Sequence, residues 1–342
     1  MEPCKAVAEA MLTPMTHSPA HPTSLRVHQY LGLQPGPRLI VLGAVHGNET
    51  CGPQALRGLL EAFDTGQLRL RRGQLTVVPV TNALAHARHA REGERNLNRK
   101  LVPPAIPQDF EDRVARVLCP LLQAHDVLLD LHSFHTAGAP FVMVGPHDNT
   151  GDLEPFAHAQ AEVALAAALG PALLVEGWLE TYARGVERRR AVAAALGRPA
   201  PDPQFGVGTT EYIRACGGYG VTLECGQHDD PRAPEVARLA VLRTLRLLDM
   251  LEAPEGAADA PLLPVQHTLM CLFDVIDCAH VGDRFSREWS SFDPVQAGEV
   301  IGHRDDGRPV VAETTGWIVF PNPRAQVGQE WFYLARASDR TL

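Results

Sequence analysis

Residues 38–49 read RLIVLGAVHGNE. The first eight form a short apolar run, the pattern of a strand buried on both faces. The run ends in a glycine- and asparagine-containing turn that carries a histidine and a glutamate three residues apart. Directly after it, GPQALRGLLEAF (52–63) has leucines and a phenylalanine at helical spacing, with Pro53 suited to a first turn. Strand, turn and helix together open an alternation of strands and helices.

Outward from there, QLTVVPV (74–80) reads as a second strand and DFEDRVARVLCPLLQAH (109–125) as an amphipathic helix that Pro120 kinks or ends early. HDVLLDLHS (125–133), FVMVG (141–145) and YGVTLECG (219–226) read as further strands. The alanine-rich segments 153–169 and 181–196, and PEVARLAVLRTLRLLDML (234–251), read as helices. Such alternation predicts a mostly parallel or mixed sheet with helices on both faces. EAPEGAADAPLLP (252–264) is a proline-containing linker. Beyond it, HTLMCLF, GEVIGH, RPVVAET, GWIVFP and EWFYLAR are short strands between turns, and they predict a separate small β unit. The expected organisation is a flexible leader over 1–24, a catalytic α/β domain over 25–255 and a β-rich domain over 262–342.

The composition narrows the function. The chain has 342 residues, 45% of them hydrophobic, which excludes wholesale disorder. Its formal net charge of −9 argues against nucleic-acid binding. No run approaches the roughly 18 apolar residues of a membrane span. The N-terminus MEPCKAVAEAMLTPM has no export pattern. The seven cysteines are scattered and odd in number. Free thiols in a reducing cytoplasm are the expectation.

The chemistry gathers at strand ends. His46 and Glu49 follow the 38–45 strand, and the carboxyl ends of strands are where sites form in open α/β sheets. The same HxxE spacing at His89–Glu92 has no strand before it and reads as surface. His132 ends the VLLDL strand as His46 ends its own. His46, Glu49 and His132 then make a His2Glu set, a known catalytic zinc donor set. For His132 alone, the alternative is a histidine bonded to backbone. Asp130 shares a strand face with His132. Glu224 ends another apolar strand, where an unpaired carboxylate is costly. It is either paired with an arginine or a general base acting on a metal-activated water. Cys225 faces the other way and reads as core. Arg91, Arg95, Arg99 and Arg214 lie in or beside polar, glycine-containing segments, and arginine grips carboxylates with two parallel hydrogen bonds.

HGNE, NLNR, DLH and TLECG, in that order, resemble the succinylglutamate desuccinylase/aspartoacylase family, relatives of the zinc carboxypeptidases. The resemblance runs from about residue 38 to 250. It implies a zinc-carboxypeptidase-like mixed β-sheet flanked by helices, with a small C-terminal all-β domain. It implies one zinc ion per chain on His46, Glu49 and His132, with Glu224 as general base and proton donor. Arg91 would polarise the scissile carbonyl, Asn98 and Arg99 would bind a carboxylate, and Arg214 would be a second anion clamp. Tyr333 is the candidate for the C-terminal tyrosine of aspartoacylases. The chain has Asn96 where the family often has an acidic residue, and 176–210 has no counterpart. The expected function is hydrolysis of the amide bond of a small acidic N-acyl amino acid. The expected partner is that small molecule, with no nucleic acid or membrane, and a homo-oligomer is compatible with the sequence. A carboxypeptidase or esterase on the same centre, or a non-catalytic scaffold for an acidic ligand, are the alternatives.

Overall fold

The structure is a computed structural model that describes residues 21–195, 202–252 and 266–340. Most of the expected leader, and the linker from residue 253 on, lie outside the described residues. In chain order the elements are β1 (His28–Leu31), β2 (Gln34–Gly43), α1 (Cys51–Asp64), β3 (Arg72–Val78), α2 (Ala83–Ala87), α3 (Phe110–Gln123), β4 (Val127–Phe134) and β5 (Phe141–Met143). Then come α4 (Ala159–Ala168), β6 (Leu173–Glu176), α5 (Trp178–Ala195), α6 (Thr209–Ala215), β7 (Tyr219–Gln227) and α7 (Ala233–Leu247). The C-terminal strands are β8 (Thr268–Asp277), β9 (Arg284–Phe285), β10 (Pro294–Val295), β11 (Val300–His303), β12 (Pro309–Val311), β13 (Gly316–Val319) and β14 (Glu330–Ala337).

An eleven-stranded sheet in the order β1-β3-β2-β4-β7-β5-β6-β8-β14-β13-β10 organises the molecule. Its centre is parallel: β3, β2, β4 and β7 run the same way. Alternation along each strand separates two cores. Leu39, Val41, Leu129, Leu131, Val221 and Leu223 face α1, α4 and α7. Ile40, Leu42 and Leu128 face α3 and α6. Every residue of β4 is buried, Asp130, His132 and Ser133 included. Three polar groups in such a strand need partners or a task.

Three expectations change. The sheet starts before Arg38: β1 and the first half of β2 alternate or stay exposed, so they leave no apolar run to read. α3 continues through Pro120 to Gln123. A proline three residues from a helix end forfeits one hydrogen bond in a turn whose last carbonyls are already being capped. The third change concerns the C-terminal β region, which is not a separate sandwich. β8 pairs in parallel with β6 of the central sheet, and β14, β13 and β10 continue from it. Only β9, β11 and β12 form a small sheet of their own. α5 locks the junction: Thr181 Oγ1 donates to the Leu272 carbonyl at 2.8 Å, and Arg189 pairs with Asp277. No helix among the described residues is long and apolar enough to cross a membrane.

Candidate active site

The site lies at the carboxyl ends of β2, β4 and β7. After β2, Ala44 takes a left-handed backbone (φ 47°), which turns the chain sharply and delivers His46 into the cavity. Gly47 packs so close to α2 that a Cβ would stand 2.0 Å from the Ala85 carbonyl carbon, so only glycine fits. The two imidazoles meet one carboxylate. Glu49 Oε1 lies 2.8 Å from His46 Nδ1, and Glu49 Oε2 lies 2.9 Å from His132 Nδ1. All three residues are buried, and their ligand atoms fall within 4.8 Å of one another.

Burial pushes His46 down to about 3, helped by the Arg91 charge, so its imidazole is neutral and free to ligate. Burial acts to raise Glu49, but the two histidines outweigh it and hold the carboxyl well below its usual range. His132 goes the other way. Burial would lower it, but the neighbouring Asp130 and Glu49 charges raise it well above its ordinary value. Two imidazole nitrogens and a carboxylate oxygen, buried and convergent, are a donor set that fits a divalent transition metal with a position left open toward the cavity.

Around the three lies an orienting shell. Asn96 Oδ1 sits 3.1 Å from His46 Nε2, and the Ser133 amide donates to Glu49 Oε2. Asp130 Oδ2 stands 3.0 Å from His132 Nε2 and accepts the Thr209 hydroxyl at 2.5 Å. Thr209 in turn donates its amide to Asn98 Oδ1 at 2.9 Å, which commits the Asn98 oxygen and leaves its amide nitrogen as the group that can meet a ligand. Glu111, fully buried at the start of α3, accepts the amides of Gly93, Glu94 and Arg95 and so fixes the 91–99 loop. Arg95 clasps the same loop to Asp109 and Asp112. Asn96 and Glu111 escape sequence reasoning as site-forming residues. The only hint was that Glu111 falls in the first turn of a helix capped by Asp109.

Glu224 pairs in register with His132 across β4 and β7. Paired positions on adjacent strands put both side chains on one face, side by side. Glu224 is buried, and its Oε2 has no hydrogen-bond partner. Burial above all pushes its carboxyl up to about 8. Such a group holds and releases a proton near neutrality. Cys225 points into the opposite core.

His46, Glu49, Asn96, Asn98, His132 and Glu224 line one cavity of about 670 Å³, which reaches from the histidines to α5 and β14. Arg91 stands at the rim, with Nη1 3.2 Å from Glu49 Oε1. Arg99 is buried, its guanidinium 5.0 Å from the Trp178 ring centroid and 5.7 Å from that of Tyr182. Burial works against its charge, but Glu330, Tyr333 and Tyr182 more than compensate. Tyr333 is also buried on the cavity wall, with an unpartnered hydroxyl. Segment 176–210, which has no counterpart in the sequence resemblance, supplies part of this wall through Trp178, Tyr182 and Phe205.

Arg214 does not fit the anion-clamp role expected of it. All five of its N–H groups are taken. Nε and Nη2 hold Glu162, Nη1 holds Glu154 at 2.7 Å and Glu211 at 3.4 Å, and Nη2 also meets the Gly220 carbonyl. His89, by contrast, lies away from the cavity lining, as its surface reading requires.

Residues 35–250 match the family model described as the succinylglutamate desuccinylase/aspartoacylase catalytic domain. The chain belongs to that family, whose names denote amide-bond deacylases. No curated protein matches the chain. Among solved structures it is similar to a succinylglutamate desuccinylase/aspartoacylase from Rhodobacter sphaeroides, at 16% identity and a TM-score of 0.66, over 92% of this chain and 90% of that one. A succinylglutamate desuccinylase from Vibrio cholerae is 18% identical, with a TM-score of 0.66 over 91% of this chain and 85% of that one. The product-bound ectoine utilization protein EutE from Ruegeria pomeroyi is 20% identical, with a TM-score of 0.64 over 91% and 88%. At these identities the likeness concerns the fold.

Proposed function

We propose that the chain is a zinc-dependent deacylase that cleaves the amide bond of a small acidic N-acyl amino acid. The observation that carries this reading is Glu224: a buried carboxyl whose Oε2 has no hydrogen-bond partner, on the strand position beside His132. A structural glutamate there would have a cation against it.

His46, Glu49 and His132 would hold the zinc. Bound there, the ion supplies Lewis-acid polarisation of the carbonyl and lowers the pKa of a water. Glu224 takes the proton of the attacking water. Arg91, half-exposed at the rim, meets the developing oxyanion. As the C–N bond breaks, Glu224 returns the proton to the leaving nitrogen, so that the amide yields a carboxylic acid and an amine. Arg99 and the Asn98 amide nitrogen take the substrate carboxylate, which fixes the scissile bond near the histidines.

The experiment is amine release from a panel of N-acyl amino acids, with zinc added, removed by chelator and restored. Release that depends on zinc and falls with Glu224→Gln supports the reading. A zinc-loaded protein that releases no amine from any member of the panel overturns it.

A further inference from the structure

The charge pattern of the cavity sets how many carboxylates a substrate can bring. Five arginines line it: Arg91, Arg95, Arg99, Arg189 and Arg214. Three are spent within the protein, and a fourth, Arg91, which also touches Glu49, is taken by the oxyanion. Arg95 pairs with Asp109 and Asp112, Arg189 with Asp277 and Glu330, and Arg214 with Glu154, Glu162 and Glu211. Among the described residues, only Arg99 of the five has no carboxylate within ion-pair distance. A second substrate carboxylate would therefore enter a wall whose cations are already engaged, next to Glu154, Glu176 and Glu211.

The surroundings of Arg99 are aromatic. Trp178, Tyr182, Phe205, Phe320 and Tyr333 line the same end of the cavity. Trp178 and Tyr333 lie 5.2 Å apart centroid to centroid, and Tyr182 and Phe205 stack at 6.4 Å with planes 25° apart. Phe205 stays 43% exposed, a large apolar face left open at the cavity. The Tyr333 hydroxyl, buried without a partner, is one more donor beside the guanidinium. One cation, one hydroxyl and a set of ring faces together match a single carboxylate on a flat apolar body.

We propose that the substrate's amine half is an amino acid with one carboxylate and an aromatic side chain. Arg99 and Tyr333 receive the carboxylate, and the ring lies against the Trp178–Phe205 wall. The proposal deepens the deacylase reading and rests on it for the reaction, but not for the binding preference.

The test compares N-acetylphenylalanine with N-acetylaspartate and N-succinylglutamate on the zinc-loaded full chain. The expected kcat/KM favours N-acetylphenylalanine by about tenfold or more, in line with what a filled apolar pocket discriminates. Phe205→Ala should raise KM about threefold to tenfold more for N-acetylphenylalanine than for N-acetylalanine. A preference for N-acetylaspartate or N-succinylglutamate overturns the proposal and leaves the deacylase reading standing. If no substrate is turned over, the deacylase reading falls, and calorimetric titration with the free amino acids decides the proposal. Phenylalanine binding at least tenfold tighter than aspartate supports it, whereas aspartate binding as tightly, or neither binding, overturns it.

Discussion

The cavity has two ends built on different terms. At the histidine end, each group sits where a strand of one parallel sheet stops, and its neighbours are set by register: His132 beside Glu224, Asp130 beside Thr222. At the α5 end, the wall comes from segments far apart in the chain, with Arg99, Trp178, Phe205 and Tyr333 brought together only by folding. The first end follows from backbone geometry and carries chemistry common to any amide. The second follows from side-chain packing and decides which amide enters.

Substitutions at the first end should therefore abolish or cripple turnover of every substrate, and those at the second should change its ranking. The largest expected effect is that of His132→Ala, which should take zinc content from about one per chain to near zero and remove activity. His89→Ala should keep the metal, as read by elemental analysis. Equal loss from both would show that the wrong pair of histidines was assigned. Next, Glu224→Gln should keep fold and zinc and lower kcat by about 10² to 10⁴ for all substrates alike. If its effect differed strongly between substrates, the division between the two ends would break.

At the far end, Arg99→Ala should raise KM by about tenfold to a hundredfold, since a charge-assisted hydrogen bond contributes about 1.5–3 kcal/mol. kcat should change much less. A fall in kcat with KM unaltered would move Arg99 to the chemical end. The smallest effect concerns Glu154 and is one of stability. Burial pushes its carboxyl from an ordinary 4.5 up to about 7, with Glu211 and Glu162 adding to burial and Arg214 opposing. The folded state then holds the proton more tightly than the unfolded one. That contribution is complete below pH 4.5 and is lost as the pH rises toward 7. Thermal melts should show wild type losing stability over that interval, and Glu154→Gln should flatten the slope.

The same division explains what could be read from the sequence. HGNE, DLH and TLECG lie at the ends of apolar runs, and a buried polar residue there stands out against its neighbours. The role that the resemblance implies for Arg214 gives a position but not its partners: Glu162 and Glu154 are 52 and 60 residues away in the chain. The C-terminal strands were legible one by one. Their union with the central sheet was not, because the β6–β8 pairing joins segments on either side of the linker and has no local signature. Asn96 and Glu111 are polar residues in polar surroundings; the departure at Asn96 and the helix-start position of Glu111 mark them only faintly, and neither points to His46 and its loop.

The register between β4 and β7 has a consequence for the order in which the molecule comes apart. Both strands sit in mid-sheet under two packed cores, so their amide hydrogens should exchange with solvent only when the whole domain opens. Amides of the 203–206 turn that carries Phe205, and of the partly exposed α5, should exchange through smaller openings. On warming, selectivity should then fade while the hydrolytic centre is still intact, and near the melting point the protein should become a less discriminating catalyst before it becomes an inactive one.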